Sequence, residues 1–127
     1  MNTIGYFEIQ SSNLQREIKF YEAIFGWKFK REEFVPVKYY RIETNGINGG
    51  LLERPAKTPS SGSGTNAYTC SVLVDNFDKT SESIIQNGGQ VALPKFVIPG
   101  RCWQGYFTDP DNNVFGIFEV DEHAGIE

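Results

Sequence analysis

Tyr6-Phe7-Glu8-Ile9, running into Asn13-Leu14, has a second copy further along the chain: Thr69-Cys70-Ser71-Val72, running into Asn76-Phe77, lies over it at a constant shift of about 63 positions. Toward the far end of each copy, Asn48-Gly49-Gly50-Leu51-Leu52-Glu53 lies over Val114-Phe115-Gly116-Ile117-Phe118-Glu119 at a shift of about 66, with a Gly and a Glu in register. A repeat at about half the chain length, with a small change of offset, is what one duplicated unit and a loop insertion leave behind. The chain therefore divides into two similar modules, and the seam between them is the place to expect a concave ligand site.

Outward from these anchors the local pattern repeats as well. Residues 4 to 11 alternate as a strand, with Phe7 and Ile9 on one face and Glu8 and Gln10 on the other. Ser12 or Asn13 can cap a following helix whose stripe is Leu14, Ile18, Tyr21 and Phe25, ended by Gly26. Strands are predicted at 27 to 34, 37 to 44 and 48 to 54, with Asn45-Gly46 as a tight turn. Residues 55 to 66 are rich in Pro, Ser, Gly and Thr and read as a linker that includes Gly62 and Gly64. The pattern then restarts: a strand over 68 to 74, a helix capped by Asn76 and closed by Gly88-Gly89, and strands at 90 to 97, 102 to 108 and 113 to 120. Asp109-Pro110-Asp111-Asn112-Asn113 marks the final turn. One domain is expected, with module one at about 4 to 54, the linker at 55 to 66, module two at about 67 to 121 and a polar tail at 122 to 127.

With 127 residues the chain suits one domain that buries about two thirds of its unfolded surface. A net charge of −4 and a pI near 5.0 supply no basic footprint for nucleic acid. No apolar run reaches the roughly 20 residues of a membrane span, and Met1-Asn2-Thr3-Ile4 has no signal-peptide character, so a cytoplasmic protein with no membrane partner is expected. Cys70 and Cys102 follow neither metal spacing nor a disulfide framework; Cys70 reads as a small apolar strand residue.

Taken in order and spacing, Tyr6-Phe7-Glu8-Ile9, Phe20-Tyr21, Phe25-Gly26-Trp27, Gly49-Gly50, Asn87-Gly88-Gly89, Ile98-Pro99-Gly100 and the closing Asp109-to-Gly116 string resemble the vicinal oxygen chelate superfamily of glyoxalases, extradiol dioxygenases and bleomycin-resistance proteins. The resemblance runs from about residue 4 to 121. It implies an α+β fold, two tandem βαβββ modules forming a curved open mixed sheet around a central cavity, and a homodimer. It does not fix an activity.

The resemblance places the metal-ligand positions of metal-using members on Tyr6, Gly50, Thr69 and Gly116, where the usual His, Glu or Gln donors are missing. Glu53 and Glu119 lie an odd number of residues from Gly50 and Gly116, so strand parity turns them to the opposite face, toward solvent or an edge. His123, the single histidine, falls in the tail. No metal and no cofactor are therefore expected.

A cavity lining of Tyr6, Glu8, Gln10, Tyr40, Gly50, Thr69, Ser71, Tyr106, Gly116 and Phe118 follows, with Tyr40 and Tyr106 as a symmetric aromatic pair and the two glycines widening the centre. Glu8 is the candidate acid or base if desolvation raises its pKa; otherwise it hydrogen-bonds Thr69, Ser71 or a tyrosine across the seam. Trp27 and Trp103 read as core or interface anchors or as stacking platforms. No Ser-His-Asp or Cys-His set and no nucleotide-binding glycine motif is present. The expected function is metal-free binding of a small, partly apolar or aromatic organic ligand. The alternative is a lyase, isomerase or dioxygenase of the same superfamily, acting through Glu8 or through a metal site at other positions. A module that serves mainly to dimerise ranks third.

Overall fold

In the computed structural model, which describes residues 2–33, 35–61 and 68–126, strand β1 (Phe7–Ser11) leads into helix α1 (Leu14–Phe25) and strands β2 (Lys28–Arg31), β3 (Tyr39–Glu43) and β4 (Gly49–Glu53). The same order returns as β5 (Ser71–Leu73), α2 (Phe77–Gln86), β6 (Gln90–Ile98), β7 (Cys102–Thr108) and β8 (Val114–Val120). Phe34 and residues 62–67, which include the last five positions of the expected linker, lie outside the described residues.

Duplication is visible down to the caps. Asn13 Oδ1 accepts from Arg16 N at 3.1 Å and Asn76 Oδ1 from Lys79 N at 2.9 Å, each satisfying an amide that has no partner within its helix. Gly26, at φ 69°, takes the left-handed turn that ends α1 and donates to Glu22 O.

Each module builds a mixed four-stranded sheet, β1-β4-β3-β2 in one and β5-β8-β7-β6 in the other, with the first pair of each list parallel and the remaining pairs antiparallel. The fold is α+β, as expected. β1 and β5 are sheet edges.

Alternation sorts each strand by face. Phe7, Ile9, Tyr40, Ile42 and Leu51 pack with Ile18 and Leu14 of α1. A larger aromatic core joins the modules: Phe20 and Tyr21 of α1 meet Phe77 and Ile84 of α2 and Phe107, Phe115 and Ile117 of the second sheet. Gly105 lacks a side chain where the Phe77 ring crosses its strand; an added Cβ would stand 2.7 Å from that ring.

Candidate functional site

The strand register decides what each sheet presents on the face away from its helix. Glu8 lies opposite Gly50, and Gly50 opposite Arg41, which puts Tyr6, Glu8, Tyr39 and Gly50 on one side of the first sheet. Tyr39 OH donates to Glu8 Oε2 at 2.7 Å and shares a 2.8 Å hydrogen bond with Tyr6 OH. Burial, then the bonds to Tyr6 and Glu8, hold the Tyr39 phenol well above the usual tyrosine range. The matching face of the second sheet carries Ser71, Gln104, Tyr106, Gly116 and Phe118, with Gln104 Nε2 donating to Ser71 Oγ at 3.2 Å.

Two expectations change here. Tyr40 belongs to the other face: it packs with the α1 cluster and its hydroxyl accepts from Gln15 Nε2 at 3.0 Å. The β3 and β7 registers match at a shift of 65, so Gln104 corresponds to Tyr39, and the tyrosine of the away face is Tyr39. Nor do the glycines widen a centre. A Cβ at Gly50 would collide with the Tyr39 phenol, and one at Gly116 would collide with Ser71 Oγ and stand 2.8 Å from Gln104 Nε2.

The open space lies instead at the seam between modules. A cavity of about 400 Å³ runs along the edge of β1. Its floor is Tyr21, Phe25 and Trp27 of the first module with Phe115 of the second; Val72 and Cys70 form the far wall, and Arg54, Tyr68 and Asn113 stand among its polar lining. Glu8 and Gln10 belong to the lining. Tyr6, Tyr40, Gly50, Thr69, Ser71, Tyr106, Gly116 and Phe118 do not. Trp27 is stacked on Tyr21 with ring centroids 5.4 Å apart, so one of its faces is anchored. Trp103 is elsewhere, its indole donating to Asp121 at 3.1 Å under the Lys95 ammonium.

Beside the cavity is a buried polar knot. Asp111 receives Arg16, both Nε and Nη2 of Arg54, and the amide and hydroxyl of Ser12. Burial alone would raise its carboxyl, but the bonds from Ser12 and Arg54 outweigh it and hold the group below its usual pKa. Asp109 accepts from the Tyr21 hydroxyl at 2.7 Å and from the amides of Asp111 and Asn113, each at 2.9 Å. Asn113 Nδ2 bonds both Asp109 and the carbonyl of Gln10, which ties the closing turn to β1. Glu17, fully buried, has no hydrogen-bond donor on either oxygen. Desolvation, then the neighbouring Asp109 carboxyl, pushes its pKa up to about 10, so it is a neutral acid at pH 7.

A catalytic divalent ion would need convergent lone-pair donors. Where ligands were to be expected on Gly50 and Gly116, the space is filled by Tyr39 and by Ser71 and Gln104, and among the described residues no three His, Cys, Asp or Glu side chains converge on a possible ion position. These residues do not fit such a metal. Glu119, half-buried, is no ligand: its Oε1 accepts from Phe77 N at 2.7 Å and closes the start of α2. Glu53 is exposed, with Lys38 Nζ at 3.9 Å.

Tandem βαβββ modules with a seam cavity define a glyoxalase-like fold. The chain belongs to the Glyoxalase/Bleomycin resistance protein/Dioxygenase superfamily, whose family model matches residues 3–117. A glyoxalase/bleomycin resistance protein/dioxygenase family enzyme from Burkholderia phytofirmans superposes with a TM-score of 0.74 at 18% identity, covering 92% of this chain and 98% of that one. The fosfomycin resistance protein FosX of Listeria monocytogenes gives 0.75 at 17%, covering 95% and 93%. In sequence the chain is 26% identical over 130 residues to "Putative glyoxylase CFP32" of Mycobacterium tuberculosis, covering 97% of this chain. It spans only 48% of that relative. Among the described residues no helix is long and apolar enough to cross a membrane.

Proposed function

We propose that this chain binds a small, partly aromatic organic molecule in the seam cavity, with no metal in the site. The observation that carries this is the cavity itself: about 400 Å³, within the range of about 300–1,000 Å³ usual for small-molecule pockets, with Phe7, Phe25, Trp27 and Phe115 among its lining. Trp27 is a built-in reporter. In a Trp103→Phe variant it is the remaining tryptophan, so titration with a panel of two- and three-ring aromatic compounds should change its emission saturably. Val72→Trp, which fills the far wall, should abolish the calorimetric heat of the same compounds while the protein stays folded. A flat response across the panel by both methods overturns the proposal.

Catalysis through Glu8 is the second candidate, favoured by the Tyr6–Tyr39–Glu8 hydrogen-bonded chain, which orients the carboxylate as a proton acceptor. Loss of turnover in a folded Glu8→Gln protein supports it; unchanged turnover removes it. The proposal includes a homodimer. Leu73 and Val120, 62% and 61% exposed on the away face of the second sheet, supply apolar surface for one, and a monomeric mass in sedimentation would remove that part.

A further inference from the structure

The parallel register of β1 with β4 leaves a row of backbone groups looking outward. Ser11 O accepts from Arg54 N on the β4 side, so the amides of residues 7, 9 and 11 turn toward β4 and those of Glu8 and Gln10 turn away. Gln10 O confirms the direction: it accepts Arg54 Nη2 and Asn113 Nδ2 from outside the sheet. Among the described residues nothing pairs with the outward N–H of Glu8 or Gln10, and both residues line the cavity. Among the described residues they are unpaired donors beside an aromatic floor.

The charged groups at the same place are already engaged. Arg54 is held by Asp111, Gln10 O and Asn113 Oδ1, and its side chain is only 9% exposed. Asn113 has donated its amide to Asp109 and Gln10. Both arginines of the knot are bound to Asp111, and Arg16 is not among the cavity lining. Glu8 does not bring its carboxylate to this floor, because alternation sends that side chain to the Tyr39 face while Phe7 and Ile9 face α1. An ion entering among these rings would lose hydration and meet no counter-charge, whereas a carbonyl would meet a backbone donor.

We infer that the cavity selects an uncharged, flat aromatic molecule bearing a carbonyl-type acceptor, which lies against Trp27 and Phe25 and accepts from the outward amide of Glu8 or of Gln10. This rests on the seam cavity being the binding site. Four matched probes test it by calorimetry at pH 7.5 on the native chain: 2-naphthamide, naphthalene, naphthalene-2-carboxylate and 2-naphthylmethylammonium. The expected order places 2-naphthamide first, with a Kd at least tenfold below each of the other three, and Val72→Trp should remove its binding. Either charged probe binding as tightly as the amide overturns the selectivity but leaves the cavity standing. Naphthalene equal to the amide overturns the backbone-donor contact. Binding by none of the four, or binding that survives Val72→Trp, overturns the inference together with the site on which it rests.

Discussion

Glu17→Gln isolates the one carboxyl that the fold forces to stay protonated. An unfolded glutamate titrates near 4.5, and burial beside Asp109 raises Glu17 to about 10 in the folded chain. Below pH 4.5 both states carry the proton and its contribution is complete. Between 4.5 and 10 the unfolded chain has lost a proton that the folded chain keeps, so stability falls as pH rises, by about 1.4 kcal/mol per unit. Glutamine fills nearly the same volume without titrating. The variant's stability minus that of the native chain should therefore grow by about 2.7 kcal/mol from pH 6 to pH 8. Asp111, whose pKa is lowered from 3.8, is ionised in both states across this window and adds nothing to the slope. Urea unfolding at pH 6, 7 and 8, with m values compared between variants, reads the difference directly. Two stability curves running parallel over that range would mean that Glu17 is ionised inside the fold, and the electrostatic account of the knot would be wrong.

Asp111→Asn removes the shared partner of Arg16 and Arg54 and should cost about 3 kcal/mol or more, measured by the same unfolding assay; a loss under about 1 kcal/mol would show that the ion pairs are idle. Gly50→Ala drives a methyl into the Tyr39 phenol and should cost about 1–3 kcal/mol in thermal unfolding, with most of that loss recovered in the Gly50→Ala, Tyr39→Ala double variant relative to Tyr39→Ala alone. Tyr39→Phe deletes the hydroxyl that bonds Glu8 and Tyr6 and should cost about 1 kcal/mol while leaving the cavity's ligand affinity unchanged, since Tyr39 does not line it; a large affinity change would place the site on the Tyr39 face.

Much of the fold was legible because its signals are local. Asn13 and Asn76 cap the helices as their side-chain chemistry predicts, and Asn45-Gly46 sits in the bend between β3 and β4. Strand parity correctly separated Glu119 from Gly116. It could not tell what Glu119 would meet, because its partner, Phe77 N, lies 42 residues away. The candidate site was harder. A single shift of 66 extended across β3 pairs Tyr40 with Tyr106, whereas the registers match there at 65, and in a strand one residue exchanges the faces. Arg54 stands next to Pro55 at the head of a linker-like segment, and nothing in its neighbours in sequence signals a buried salt bridge to Asp111, 57 residues on. Nothing in the neighbours of Glu17 in sequence signals its burial, which comes from the second module's closing turn, Asp109 and Asp111 included.

From the chain alone came the duplicated βαβββ order, the helix caps and the lack of metal-donor residue types at Tyr6, Gly50, Thr69 and Gly116, because periodicity, turn chemistry and residue identity act over a few neighbours. The cavity's place at the seam, the filling of the space above Gly50 and Gly116, and the neutral Glu17 were decided only by tertiary structure. Each depends on which side chain from a distant segment occupies a given volume and on how far that packing excludes water, and neither quantity is carried by any one stretch of sequence.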